Sequence, residues 1–265
     1  MNFGLIIVGD EILSGKRADK HLPKVIELLG ERGMALAWAR YVGDVPARIT
    51  ADLRDAFASG DAVFCCGGIG ATPDDHTRQC AAAALGRPLQ LHPEARELIL
   101  RRVREVAAEQ GASTPDESHP DTQRRLQMGV FPAGSEIIPN PYNRIPGFSV
   151  GEVHFVPGFP VMAHPMIEWV LDTRYAHLRR QGAWQERSVI VMGAMEATLT
   201  PLMESIEAEF PGVKVFSLPS VDHPEWGRHI ELGVKGEPGM LDEAFPALLR
   251  GLAQHPVRLG PKLVR

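Results

Sequence analysis

The chain has 265 residues, is 44% hydrophobic and carries a formal net charge of -5. That is enough apolar material to bury a full core without help from metal or disulfides, and the length suits one large domain plus a small one. The acidic balance gives no broad positive field, which argues against nucleic acid as a partner, since phosphate contacts generally need a basic face.

Taken in chain order, the first half alternates strand-like runs with helical patterns, the signature of βαβ units and a largely parallel sheet with helices on its faces. Leu5 to Val8 reads as a buried strand. Leu22, Val25, Ile26 and Leu29 then form one apolar helical stripe, with Asp19 as cap, Pro23 near the first turn, and Gly30 and Gly33 ending it. Ala35 to Val42 is a second strand, followed by a helix that Pro46 opens, Ile49, Leu53, Ala56 and Phe57 bury, and Ser59-Gly60 closes. Asp61 to Cys66 is a third strand; it runs into a glycine-rich loop and the helix Thr77 to Leu85, which Gly86 ends. A longer helix spans Pro93 to Gln110 with Ile99, Val103 and Val106 on one face, and Gly111 to Asp121 reads as a surface loop. Strands around Ser135 to Ile138 and Val153 to Val156 bracket turn-rich residues, and Pro157-Gly158-Phe159-Pro160 leads into a helix through Trp169. The first domain is placed at residues 1–175. Residues 176–265 read as a small α+β domain of order βαββα: Ser188 to Met192, Thr200 to Phe210, Val213 to Leu218, His229 to Val234 and Asp242 to Ala253.

Cys65, Cys66 and Cys80 offer no CxxC spacing, so neither a disulfide framework nor a zinc site is expected, and a reduced cytoplasm fits. Adjacent strand residues point to opposite faces, and all three cysteines read as buried small hydrophobes. The N-terminus opens on the strand-like run Phe3 to Val8 instead of a charged leader, and no apolar run approaches the roughly 20 residues of a membrane span. Neither secretion nor membrane insertion is expected.

The chemistry concentrates in Gly67-Gly68-Ile69-Gly70-Ala71-Thr72-Pro73-Asp74-Asp75-His76-Thr77. Gly67, Gly68 and Gly70 let backbone amides approach a ligand, and the following helix N-terminus favours an anion, so phosphate is the natural guest; such turns also occur with no ligand. The loop is neither a Walker A loop nor the GxGxxG fingerprint. Asp74 and Asp75 would repel phosphate unless a hard cation sat between them, because Mg²⁺ typically binds one or two carboxylates plus phosphate oxygens. A metal-bridged phosphate is one reading; the other makes Asp74 an N-cap and leaves Asp75 to complement the helix dipole. Asp10 and Glu11 follow the first strand and Asp44 the second, so three consecutive strand ends deliver carboxylates to one edge, where parallel sheets build their sites. His76 is as well explained by structure as by catalysis, and the Gly158 turn reads equally as a ligand wall or a rigid helix entry.

These residues resemble the molybdopterin-binding (MoaB/Mog-like) domain family, in the version found at the N-terminus of competence- and damage-inducible protein A (CinA). Gly9 to Gly15 is similar to its Gly-Asp-Glu-Ile-Leu-x-Gly, Val42-Gly43-Asp44 to its Val-Gly-Asp, and Gly67 to Thr77 to its long glycine and aspartate motif. Asn140 with Pro146-Gly147-Phe148, and Pro157 to Pro160, are weaker matches. The likeness covers roughly residues 1 to 172, and the small second domain resembles that of the same protein type. Two positions depart: the family's proline after Gly70 is Ala71, and an asparagine common in the first helix is His21. The nicotinamide-nucleotide amidase domain has no counterpart in these residues, and its activity is not carried over.

The resemblance implies a three-layer α/β/α fold and binding of a molybdopterin or nucleotide phosphate, with Asp44 and Asp75 at the acidic positions implicated in adenylylating relatives. It also implies divalent-metal chemistry on a pyrophosphate bond, ADP-ribose hydrolysis being the associated activity, and self-association into a homo-oligomer. On this expectation Gly67, Gly68 and Gly70 cradle phosphate, Gly9 and Gly158 line the ligand, and Thr72 and Thr77 bond phosphate oxygens. Asp44 and Asp75 are catalytic, and Glu11, Asp74 and Asp75 hold Mg²⁺ or another divalent cation. The rivals are a non-catalytic molybdopterin or nucleotide carrier and a scaffold whose site has decayed.

Overall fold

A computed structural model describes residues 1–111, 113, 116–179 and 185–264. The chain divides into two compact units, Met1–Arg179 and Arg180–Arg265.

The first unit opens with β1 (Phe3–Val8), α1 (Asp10–Leu13), α2 (His21–Gly30), β2 (Leu36–Val42), α3 (Pro46–Ser59), β3 (Ala62–Cys66) and α4 (Thr77–Leu85). It continues with β4 (Leu89–Leu91), α5 (Pro93–Glu109), α6 (Pro120–Gln127), β5 (Val130–Pro132), β6 (Glu136–Ile138), β7 (Gly147–Val150), β8 (Val153–Val156) and α7 (Pro160–Arg174). Six strands form one sheet in the order β2-β1-β3-β8-β7-β6. β2, β1, β3 and β8 run parallel, while β7 pairs antiparallel with both β8 and β6. β4 and β5 make a separate two-stranded ribbon.

Strand alternation sends each β1 side chain to one of two cores. Phe3, Leu5 and Ile7 pack with Val25, Leu28 and Leu29 of α2 and with Met166, Ile167 and Val170 of α7. Ile6 and Val8 pack with Ile49 and Leu53 of α3, Cys80 and Ala81 of α4 and Ala95 of α5. The result is the expected three-layer α/β/α architecture, each fully buried aliphatic contributing roughly 1.5–3 kcal/mol. Cys66 belongs to the first core and Cys65 to the second, and all three cysteines are buried and free. Arg32, just past α2, is buried and forks onto Asp172 of α7 at 2.8 Å through both Nε and Nη2, which fixes those two helices against each other.

Several elements differ from expectation. Asp19 does receive the His21 and Leu22 amides, at 2.7 and 3.0 Å, but Ile26 is exposed and Leu28 takes the buried position. Within the expected loop Gly111 to Asp121, Ala112, Thr114 and Pro115 lie outside the described residues, and a helix, α6, starts at Pro120. β7 begins at Gly147, a residue that reads in the sequence as part of a turn; a Cβ there would lie 2.3 Å from the Phe155 carbonyl oxygen, so only glycine fits.

The second unit contains β9 (Gln185–Met192), α8 (Glu196–Glu209), β10 (Lys214–His223), β11 (Gly227–Gly236), α9 (Pro238–Leu252) and β12 (Arg258–Val264). Its sheet, β10-β11-β9-β12, is antiparallel throughout, with Val189, Val191, Leu232 and Val234 packed on Leu199 and Ile206 of α8 and Leu241 and Leu248 of α9. β12 is an addition to the expected βαββα order. Its Gly260 and Pro261 interrupt the strand pattern, and the register shifts there between Leu259 and Lys262, as an edge strand tolerates. Among the described residues no helix is long and apolar enough to cross a membrane.

One buried titratable group sets a pH limit on the first unit. His154, fully buried on β8, meets the Ser149 hydroxyl at 2.8 Å and the Tyr175 hydroxyl at 2.6 Å, and burial pushes its pKa down to about 3. In the unfolded chain the same imidazole takes its proton near 6.5. Below that pH the unfolded state binds more protons, so stability present above it is lost as the pH falls toward 3. Between pH 7 and 4.5, urea denaturation should show wild type losing about 2–3 kcal/mol more than His154→Gln, at ~1.4 kcal/mol per pH unit. Equal losses in both proteins would contradict this assignment.

Candidate functional site

The turns after β1, β2, β3 and β8 all lie at the carboxyl edge of the parallel strands. The chain leaves β3 for α4 on one face, whereas β1 and β8 lead to α2 and α7 on the other. Diverging connections of this kind open a crevice at the strand ends.

In three of these turns a glycine makes room for a carboxylate. A Cβ on Gly9 would lie 2.6 Å from Glu11 Oε2, on Gly43 2.4 Å from Asp10 Oδ1, and on Gly70 2.5 Å from Asp75 Oδ2. Asp10 and Asp44 are locked reciprocally: the Asp10 amide donates to Asp44 Oδ2 at 2.9 Å and the Asp44 amide to Asp10 Oδ1 at 3.1 Å. Partial burial raises the pKa of Asp44, and the negative charges of Asp10, Glu11 and Asp74 raise it further against the opposing Asp10 amide bond. Three acids from the ends of β1 and β3 therefore act on Asp44 at the end of β2. Exposed Asp74 is held below the usual carboxylate range by the nearby Thr72 side chain and its own backbone amide.

The glycine loop is tied to itself. Gly67 and Gly68 have φ of 105° and 68°, and a Cβ would lie 2.3 Å from the Val8 carbonyl oxygen at the first and 2.2 Å from Thr77 Oγ1 at the second. Thr77 donates its amide to the Gly68 carbonyl at 2.9 Å and its hydroxyl to the Gly67 carbonyl at 3.0 Å. Thr77, expected to bond phosphate, is fully buried, and both of its donors are taken up as a latch. Thr72 gives both its amide, at 2.8 Å, and its hydroxyl, at 2.5 Å, to Asp75 Oδ2. The buried Arg78 guanidinium donates to the carbonyls of Gly70 and Gln127. By contrast, no described residue accepts from the backbone amides of Gly68, Ile69, Gly70 or Ala71, which leaves a run of donors of the kind that binds anions.

The expected residues therefore divide between two clefts. Glu11 lines one of about 290 Å³, together with Arg17, Lys20, His21 and Gly158. Asp75 lines another of about 220 Å³, with Thr72, Arg78 and Gln127. Asp44 groups with Asp10, Glu11 and Asp74, and Asp75 is absent from that set. Among the described residues no group of three or more His, Cys, Asp or Glu is arranged to hold a metal ion. Asp74 does not cap α4: His76 occupies the N-cap position, and no side chain bonds there. Gly158 is under no such constraint, since a Cβ there would meet only Gly67 Cα, at an ordinary 3.4 Å. Asn140 organises the turn before β7, donating to Asn143 Oδ1 and the Ile145 carbonyl and accepting the Tyr142 amide. Arg17 and Lys20 escape a reading by motif because two cations separated by two residues form no recognisable pattern.

Fold and edge together define a doubly wound α/β/α domain with acid-bearing turns gathered at the strand ends. The family described as "probable molybdopterin binding domain" matches residues 4–177, and the chain belongs to it. The chain is 31% identical over 230 residues to a CinA-like protein of Syntrophotalea carbinolica, covering 81% of this chain and 53% of that one. It is 30% identical over 233 residues to a protein of Pyrobaculum calidifontis, covering 85% of each. The chain thus spans about half the length, 53% and 40%, of CinA-like relatives that it matches. The crystal structure of the protein CinA with unknown function from Thermoplasma acidophilum superposes with a TM-score of 0.53 at 26% identity, over 65% of this chain and 98% of that one.

The steric demands separate the glycines. Gly67→Ala should destabilise the protein by roughly 2 kcal/mol or more, because a positive φ coincides with a backbone clash, whereas Gly158→Ala should change stability by less than about 0.5 kcal/mol. Thermal denaturation of the two variants checks this, and comparable losses would contradict it.

Proposed function

We propose that the first unit binds the phosphates of a molybdopterin or nucleotide ligand at this edge and hydrolyses a phosphoanhydride in it with the help of a divalent cation. The observation that carries the reading is the convergence of Asp10, Glu11, Asp44 and Asp74 beside a loop with unpaired amides. The family's description supports a pterin-type ligand. Four acids repel phosphate, and Coulomb repulsion at a partly buried site is too large to leave uncompensated.

A cation suits this donor set. Mg²⁺ takes one or two carboxylates and completes its shell with phosphate oxygens and water, so it needs no preformed cage of three protein ligands. Asp44, with Glu11 or Asp74, would hold it, and when bound it would neutralise phosphoryl charge and polarise the bond to be broken. The chain's own groups do the rest. The amides of Gly68, Ile69 and Gly70 orient the phosphate, and Thr72 with Asp75 keeps the loop in the shape that presents them. An acid of the Asp44 cluster accepts the proton of an attacking water as the P–O bond to the leaving phosphate breaks. Self-association belongs to the same reading and is checked by sedimentation. The second reading, a non-catalytic carrier of molybdopterin or nucleotide, is favoured by the Thr72–Asp75 bond, which commits one expected catalytic carboxylate to the loop.

Incubation with ADP-ribose, FAD and ATP, with and without Mg²⁺, separates the readings. Turnover should require the cation and fall about 100-fold or more in Asp44→Asn, but less in Asp75→Asn, whose amide oxygen still accepts from Thr72. Cation-dependent binding without product identifies a carrier; neither binding nor product defeats both readings.

A further inference from the structure

We propose that the cleft between Arg17, Lys20 and Gly158 is a second anion subsite, which takes a phosphoryl group of the ligand other than the one held by the glycine loop. This rests on the reading of the edge as a phosphate site and adds to it the part that does not depend on a cation. The cleft, about 290 Å³, is at the low end for a small-molecule pocket, with room for a group and not a whole nucleotide. It borders both parts of the candidate site. Glu11 on one side belongs to the acids that act on Asp44, and Gly158 on the other lies against Gly67.

The charge on this cleft is left without a partner. Neither the Arg17 guanidinium nor the Lys20 ammonium has an ion pair or a side-chain hydrogen bond among the described residues, whereas the neighbouring Lys24, Arg32 and Arg40 are each paired with a carboxylate. Glu11 lines the same cleft without pairing with either cation. In a chain of net charge -5, two adjacent cations left unneutralised beside a cluster of acids make a dipolar edge. An anion entering it finds attraction at the cleft and repulsion at Asp44, so the cations fix which end of a diphosphate lies where.

The cleft is held in shape. The Arg17 amide donates to the Glu11 carbonyl at 3.0 Å, and Asp19 binds the amides of His21 and Leu22 and the Tyr41 hydroxyl, so the segment between α1 and α2 is anchored at both ends. His21 is only 4% exposed, and its Nε2 lies 3.1 Å from the Gly158 carbonyl oxygen. A carbonyl only accepts, so the proton is on Nε2, and His21 acts as a positioning residue that ties the wall after β8 to α2.

The test is calorimetric titration of inorganic pyrophosphate and of ADP-ribose into the whole chain in EDTA. Wild type is compared with the double variant Arg17→Ala/Lys20→Ala and with Lys16→Ala, a nearby charge outside the cleft; matched circular dichroism and thermal midpoints show that each variant is folded. Wild type should bind both probes without metal, the double variant should bind about 10-fold or more weakly with a shallower salt dependence, and Lys16→Ala should change affinity less than about 2-fold. Equal affinity in wild type and double variant, equal loss in Lys16→Ala, or no metal-free binding to wild type overturns the proposal. A wild type that binds in EDTA but shows no cation-dependent turnover would defeat the preceding reading alone, because the affinity difference does not depend on turnover.

Discussion

Asp10 and Asp44 each accept the other's backbone amide, and this pair joins the ends of β1 and β2 into one rim. The two reciprocal bonds hold the carboxyl groups side by side. The cost appears in Asp44, whose pKa rises despite that bond because burial and three other acids oppose ionisation. Acids that served only structure would gain from being dispersed. Here the glycines at 9 and 43 instead clear the space that lets Glu11 and Asp10 fold back over the backbone, which concentrates negative charge at the sheet edge. On the proposed reading, that charge is offset by a cation and by the Arg17–Lys20 pair.

The loop after β3 is packed as closely, with a different purpose for its glycines. They read first as bare backbone left open for a ligand, yet the positions of their missing side chains are filled from within by Val8, Thr77 and Asp75. What is left without a protein acceptor is the row of amides from Gly68 to Ala71. The latch built by Thr77 on one side and by Thr72 with Asp75 on the other holds those amides in place before any ligand arrives, and preorganised donors are worth more than donors that must be ordered on binding.

Much of this is legible in the sequence. The parallel sheet, the helices and their faces follow from periodicity, because β1 and β3 are buried on both sides and α3 and α5 each present a regular apolar stripe. β7 is not legible, because Pro146-Gly147 carries a turn signature while the glycine is needed for close packing against Phe155. α6 is hidden in polar residues, although His119-Pro120-Asp121 is a recognisable helix start once Thr122 and Leu126 are seen to be its buried positions. For the site, motif reading places the glycines and acids in the turns that follow the parallel strands, where the structure also has them. It cannot tell a hydroxyl that faces outward from one that is buried, as at Thr77, nor single out Arg17 and Lys20, which stand out only by lacking a partner.

Adjacent residues Asp74 and Asp75 show how local geometry divides labour that the sequence leaves joined. Asp75 is drawn toward the side of the loop where the buried Arg78 guanidinium sits between the Gly70 and Gln127 carbonyls. A buried cation flanked mainly by carbonyls keeps part of its charge uncompensated, and the nearest carboxylate, Asp75, supplies the remainder. Asp74, with no such attractor, stays exposed and turns its field toward Asp44. Arg78 thus settles which aspartate shapes the loop and which joins the acidic rim. It also links the rim to α6, since the same guanidinium holds the end of that helix. A displacement of α6 would pass through Arg78 to Gly70 and from there to the neighbouring loop amides.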